Sequence, residues 1–321
     1  MDRAWSVPVS LALRRVLLWA TVAIVAGKIH AQESNPSVEQ SRLFPRTIPP
    51  TAGSVTPDGT ALPGGETTTS EDESFGAQQI LKTQEKIPEF TLGAGASFFY
   101  TTNVALTRSD TKSDGFFVGD AAFNWTPRIN PELQFQFGGA VSIFRYFDTS
   151  ALDFQSLGFG TGFTWAPKDF WGMAMVGRYD FTELFDRHSD QILQDHEFSV
   201  AVQKLVVLGR SHALSFGVLG SAGVSDPFAE QRDQVGFAIG YHLQLTRQLG
   251  SDFGYRHSWY FYNEGGRTDL NQVFSLGLHY NLTPWAALNA FISGATNYSN
   301  QSAFKYDVFS TGGGAALTIR F

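Results

Sequence analysis

The chain has 321 residues, no cysteine and a formal net charge of −7. The missing cysteines exclude a disulfide framework, a thiolate metal site and a cysteine nucleophile, and the acidic balance argues against a nucleic-acid partner. Aromatic residues make up 14% of the chain beside 32 glycines, and charged residues only 17%, which suits many paired strands better than a helical bundle.

At the N-terminus Arg3, Arg14 and Arg15 precede an apolar core from Val16 to Ala26, and Ile29-His30-Ala31 ends in a small residue. This pattern predicts a signal peptide over 1–31, cut after Ala31, with Gly27 as the alternative cleavage residue. A retained anchor is the competing reading, but the core falls short of the ~20 residues that a span needs. Residues 32–69 are rich in Pro, Thr and Gly without apolar periodicity, and are expected to form a disordered periplasmic linker. Over 70–88 the acids Glu71, Asp72 and Glu73 come first, Lys82 and Lys86 last, and Pro88 closes the run. That order suits the dipole of a short helix, resting at the periplasmic mouth of the next domain or entering it. A frayed linker end is the alternative.

From residue 89 onward twelve segments alternate with a period of two: 89–102, 115–126, 132–146, 154–166, 169–183, 195–207, 212–224, 233–246, 251–262, 270–282, 285–297 and 306–321. No apolar run of helical span length follows the signal, so a membrane-spanning chain would have to close into a barrel. An even number of segments of crossing length predicts an all-β fold. Its form is a closed antiparallel transmembrane β-barrel of about 12 strands over 89–321, preceded by the disordered tether and the short helix.

Connections with Pro or Gly at Trp125-Thr126-Pro127, Trp165-Ala166-Pro167-Lys168, Leu208-Gly209-Arg210, Arg247-Gln248-Leu249-Gly250 and Leu282-Thr283-Pro284-Trp285 read as tight turns. They interleave without exception with longer polar links at 103–114, 147–153, 184–194, 225–232, 263–269 and 298–305. Outer-membrane barrels keep short turns in the periplasm and long loops outside, which predicts both termini on the periplasmic side. Trp125, Trp165, Trp171 and Trp285 flank the turns, while Tyr100, Tyr146, Tyr179, Trp259, Tyr262 and Tyr298 lie towards the loops. Two such belts are what two membrane interfaces select.

One face of each strand is greasy, as in Leu133, Phe135 and Phe137 or Phe274, Leu276 and Leu278; the other is small and polar. By this parity Asp120, Gln134, Gln136, Arg178, Asp180, Glu197, His242, Asp252, Arg256 and His279 point inward as candidate pore-lining residues, joined near the rim by Arg320. Arg178 with Asp180, and Arg256 with Asp252, share a face and are candidate ion pairs bracing the wall. No stripe of one sign appears, so strong ion selectivity is not expected. A wall this rich in Gly, Ala and Ser leaves either a wide wet bore or room for a plug.

Candidate catalytic groups are sparse. His188 and His196 flank one link with Asp186, Asp190 and Asp195, and Asp110 and Asp114 share another. Each set could hold a cation, though loop charges are commonly just solvated. Ser275 and His279 share a face but lie about 13 Å apart at ~3.3 Å per residue, too far for a nucleophile and its base. His257 shares its face with Tyr255 and Trp259 and is expected to point outward. No enzymatic role, cofactor or metal is assigned.

At the end of the chain Phe309, Gly313, Ala315, Leu317, Ile319 and Phe321 fall on one face. A final aromatic on such a strand resembles the C-terminal signature of bacterial outer-membrane β-barrels, which implies that Phe321 is read by the barrel-assembly machinery. Tyr100-Thr101-Thr102-Asn103-Val104, followed by Ser113-Asp114-Gly115-Phe116, resembles the opening hairpin of a family of β-barrel porins. Some members of that group are linked to exopolysaccharide export. The resemblance covers the barrel from about residue 90 and implies a passive channel in outer-membrane lipid for small solutes or saccharides. The competing expectation is a structural or interaction barrel, with a plugged lumen and a periplasmic tether; an outer-membrane enzyme ranks below both.

Overall fold

The computed structural model describes residues 35–43, 89–209 and 211–321. The predicted signal peptide, most of the linker and the candidate helix over 70–88 lie outside the described residues. Among the described residues one α-helix, α1 (Pro36–Leu43), precedes thirteen strands. These are β1 (Phe90–Thr101), β2 (Asp114–Trp125), β3 (Arg128–Asn130), β4 (Leu133–Tyr146), β5 (Phe154–Trp165), β6 (Met173–Asp186), β7 (Gln191–Gly209), β8 (His212–Asp226), β9 (Arg232–Gln244), β10 (Leu249–Tyr262), β11 (Thr268–Thr283), β12 (Ala286–Ser299) and β13 (Tyr306–Arg320).

β1 pairs antiparallel with β2 and with β13, each strand from β3 to β12 pairs with the next, and β2 pairs with β4 past the short β3. Twelve strands therefore close a ring, and β3 hangs from its edge as a small hairpin with β4. Closure matters because a strand with an unpaired edge cannot sit in hydrocarbon. The seam is sealed to its last residue: the backbones of Phe90 and Phe321 exchange two hydrogen bonds of 3.0 Å, and their rings stack at 5.7 Å. Trp125 continues that stack from the other side of Phe90.

Cross-strand partners share a face, so the register sorts the whole wall. Phe98 lies opposite Phe117 and Gly313, Phe253 opposite Tyr241 and Leu276, and Phe198 opposite Tyr179. This face is outside, where large apolar side chains are left exposed, among them Phe137, Val200, Val218, Phe274 and Ile319. A continuous greasy exterior is normal in lipid and would be anomalous in water. The buried set lies on the opposite face, so the core of this fold is its lumen.

Several expectations change. Residues 36–43 fall in the stretch assigned to a disordered linker, yet form a helix. The alternation of tight turns and long links has an exception: β6 and β7 run further than predicted and leave only 187–190 between them, whereas 166–172 is the longer connection. That turn is widened by Trp171 and Gly172, both at positive φ. Of the expected outer belt, Tyr146 and Tyr262 turn inward and are buried, while Tyr100, Trp259 and Tyr298 stay exposed.

Gly312 faces inward opposite Phe99, and a Cβ there would meet the Phe99 ring and the Phe98 carbonyl. Gly294 has open space around it. Overpacking typically costs about 1–3 kcal/mol, so Gly312→Val is expected to lower the temperature at which the detergent-folded band converts to the unfolded one on a gel. Gly294→Ala should leave it unchanged.

Candidate functional site

The lumen has two unlike halves. At the end carrying the longer connections it is filled. Phe116, Phe144, Tyr146, Phe154, Leu184 and Leu193 project inward from five adjoining strands, and Phe144 stacks on Phe154 at 4.2 Å. Val38 of α1 completes this cluster and is wholly buried against Val104 and its neighbours. Burying one such side chain contributes about 1.5–3 kcal/mol.

Local chemistry explains why a helix forms here. The Asn35 side-chain oxygen accepts the Ser37 amide at 3.0 Å, as an N-cap does, and Pro36 supplies the preset φ of a first helical residue. Eight residues are too few for a helix to hold by itself in water, so the surrounding wall holds it. The Ser37 hydroxyl donates to the Leu152 carbonyl at 3.0 Å. The Gln40 amide donates to the carbonyls of Val104 at 2.9 Å and Asn103 at 3.3 Å.

On its other flank α1 carries two buried charges. Arg42 donates from Nη1 to the Glu230 carboxylate and from Nη2 to the Glu230 carbonyl, both at 3.0 Å. The Glu39 carboxylate accepts from the Tyr262 hydroxyl at 3.1 Å, with Arg42 at 3.4 Å and Arg267 at 3.6 Å. Arg267 is pinned between the rings of Tyr262 and Phe304, 3.9 and 3.7 Å from their centroids, and its Nε donates to Asp269 at 2.9 Å. Arg232 lies over Tyr260 at 3.9 Å and donates to the Tyr262 hydroxyl at 3.3 Å. Burial alone would raise the Glu39 carboxyl, but Arg42, Arg232 and Arg267, with the Tyr262 hydroxyl, together hold it down at about 2.

The other half of the lumen carries the residues singled out by parity. Arg178 and Asp180 pair as expected, at 2.6 and 3.0 Å, and Arg178 also reaches Gln136 at 3.4 Å. Glu197 lies opposite Asp180 in the ladder. Gln134 donates to the Thr126 carbonyl at 3.4 Å, and Asp120 leans across the bare backbone of Gly95. The expected Arg256–Asp252 pair does not form. Asp252 is instead held between two imidazoles, His242 at 2.7 Å and His279 at 3.2 Å, whose rings stack at 5.8 Å. Cross-strand neighbours reach Asp252 before the side chain two residues along its own strand does, and the Arg256 Nε is left without a protein partner. A cavity of about 340 Å³ opens beside this group, lined by Ser215, His242, Asp252, Ser275 and Phe291 among others.

The candidate catalytic residues are not brought together. His188 stays exposed beside Asp186, while His196 bonds Tyr179 on the outer face at 2.8 Å. His257 is outward with Tyr255 and Trp259, as expected. Among the described residues no group of three His, Asp or Glu side chains is arranged to hold a metal ion. Asp114 is occupied by Thr149 and the Asp148 amide.

No protein-family model matches the sequence, and no curated protein matches it. The likeness is structural. An outer-membrane channel from Pseudomonas putida F1 superposes with a TM-score of 0.51 at 12% identity, covering 72% of this chain and 96% of that one. LpxR from Salmonella typhimurium gives 0.42 at 9% identity, over 72% and 100% of the two chains. A bacterial polysaccharide outer-membrane secretin gives 0.42 at 12%, over 71% and 98%. The chain has the fold of outer-membrane β-barrel channels.

Because the Glu39 carboxyl sits below its ordinary 4.5 at about 2, the stability it lends to the seated helix is fully present above about pH 4.5. It is lost as pH falls through about 2. Hydrogen exchange over 35–43, corrected for intrinsic rates, should show constant protection from pH 8 to 5 and progressive loss below 4.5. Glu39→Gln should weaken protection already at neutral pH, because leaving one side of a buried ion pair uncompensated costs about 3–5 kcal/mol.

Proposed function

We propose that the protein is a passive outer-membrane channel for small solutes or saccharides, with both termini in the periplasm. The observation that carries this reading is a closed twelve-stranded wall, greasy outside, whose turn-end lumen is polar and contains a cavity. The likeness to the Pseudomonas putida channel supports the same class through its fold. In this reading Asp120, Gln134, Gln136, Arg178, Asp180, Glu197, His242, Asp252, Arg256 and His279 line the path. Their charges are mixed and partly paired, which favours weak ion selectivity. Phe321 acts as the assembly signal, presented beside Phe90 at the sealed seam, and outer-membrane lipid covers the exterior.

A second reading has one specific observation in its favour. With α1 seated, the loop-end lumen is filled, as it would be in a structural or interaction barrel. An enzymatic role has no comparable support, since His188, His196 and His279 occupy three separate environments.

Planar-bilayer recording separates the two leading readings. The whole mature chain should conduct weakly, and the barrel lacking residues 32–88 should conduct in steps several-fold larger. A folded barrel that stays silent in both forms would make the structural reading the correct one.

A further inference from the structure

The seat of α1 has the composition of a ligand site. Three kinds of recognition converge there, beside the Glu230 carboxylate that pairs with Arg42 of the helix. The Tyr262 hydroxyl and Arg267 engage one carboxylate, that of Glu39, and Arg232 donates to the same hydroxyl; both arginines are braced on aromatic rings. Three backbone carbonyls, those of Asn103, Val104 and Leu152, accept from one hydroxyl and one amide of the helix. Apolar side chains, Val104 and Phe116 among them, cover one face through Val38. A carboxylate, several hydroxyl donors and one apolar face are the recognition features of a uronic acid residue. From this correspondence we infer that the seat is a binding site for carboxylated saccharides and that α1 is its built-in occupant, displaced when such a sugar arrives.

The occupant fits imperfectly. The Gln40 side-chain oxygen and the Tyr146 hydroxyl are buried in the seat with no protein partner. Each buried polar group left unpaired weakens an occupant: release of α1 returns the Gln40 oxygen to water, and a ligand with a further donor or acceptor could satisfy the Tyr146 hydroxyl. The covalent chain permits release. Leu43 and Glu89 are joined by residues 44–88, whose contour at ~3.3–3.6 Å per residue far exceeds the length of a strand of this barrel. No strand would have to separate for α1 to leave. The carboxylate site would persist, because Arg232 and Arg267 rest on Tyr260, Tyr262 and Asp269 of the wall and on Phe304 of the connection before β13, and not on the helix. The inference rests on the channel reading only for the passage of the sugar; binding at the seat stands apart from it.

The chain has no cysteine, so a thiol at position 38, introduced as Val38→Cys in the full-length protein, reports displacement cleanly. It should be protected from maleimide while α1 is seated. Glucuronate oligomers should raise the labelling rate at least tenfold in a saturable manner, and glucose oligomers of equal length should not. Arg267→Gln should abolish the response. Should that variant fail to fold, Glu39→Gln leaves the wall intact and should shift the response to several-fold lower glucuronate. Equal responses to the neutral and acidic oligomers, or none to either, would overturn the inference. Displacement by a free peptide of the α1 sequence but not by glucuronate would make the seat a peptide site and overturn it equally. A barrel lacking 32–88 that conducts but neither binds nor is blocked by glucuronate refutes the sugar site and leaves the channel reading standing. A barrel that binds glucuronate without conducting refutes only the channel.

Discussion

Hydrocarbon cannot hydrogen-bond a peptide group, and the organisation of this molecule follows from that constraint. Every strand must find two neighbours, so the ladder closes through β1–β13 and through β2–β4, bypassing β3. Once the ring is closed, the period of two divides each strand between lipid and lumen. The outer face is free to be greasy, and the burial that a water-soluble protein places between layers is moved inside the cylinder. What fills the interior therefore decides what the barrel can do.

The two ends of the interior are filled differently. At the loop end, aromatic and aliphatic side chains enclose a helix that carries its own charges, Glu39 and Arg42, into a dry environment. Such burial is tolerable only because each charge meets opposite partners and hydrogen-bond donors or acceptors. Arg232 and Arg267 are in turn held over ring faces, which fixes their direction at little entropic cost. At the turn end Arg178–Asp180 and His242–Asp252–His279 stay at the wall, with His242 and Asp252 lining the cavity. The contrast shows how one barrel can combine a polar lumen at one end with a filled lumen at the other.

The strands were legible because alternation survives in single-sequence form: Phe135, Phe137 and Val141 announce one face as plainly as Gln134, Gln136 and Gly138 announce the other. The Arg178–Asp180 pair was legible for the same reason. The helix was not, since Pro36–Leu43 holds only two sizeable apolar residues, Val38 and Leu43, and its stability comes from a wall more than sixty residues away. Asn35-Pro36 was the available signal, a cap followed by a first-turn proline inside a Pro-rich stretch. A second signal lay in Tyr100-Thr101-Thr102-Asn103-Val104: its last two residues present the carbonyls that receive Gln40. The partners of Asp252 depend on cross-strand register, which parity along one strand does not encode.

The central claim is that a closed barrel carries its own N-terminal helix inside the loop-end lumen. Trypsin tests it directly, because both terminal nitrogens of Arg42 are engaged by Glu230 in the connection between β8 and β9. In the unheated, detergent-folded protein the Arg42–Leu43 bond should stay intact under conditions that cut it at once after boiling. Cleavage there at the same rate in both samples would mean that the helix does not occupy the lumen, and would contradict the account.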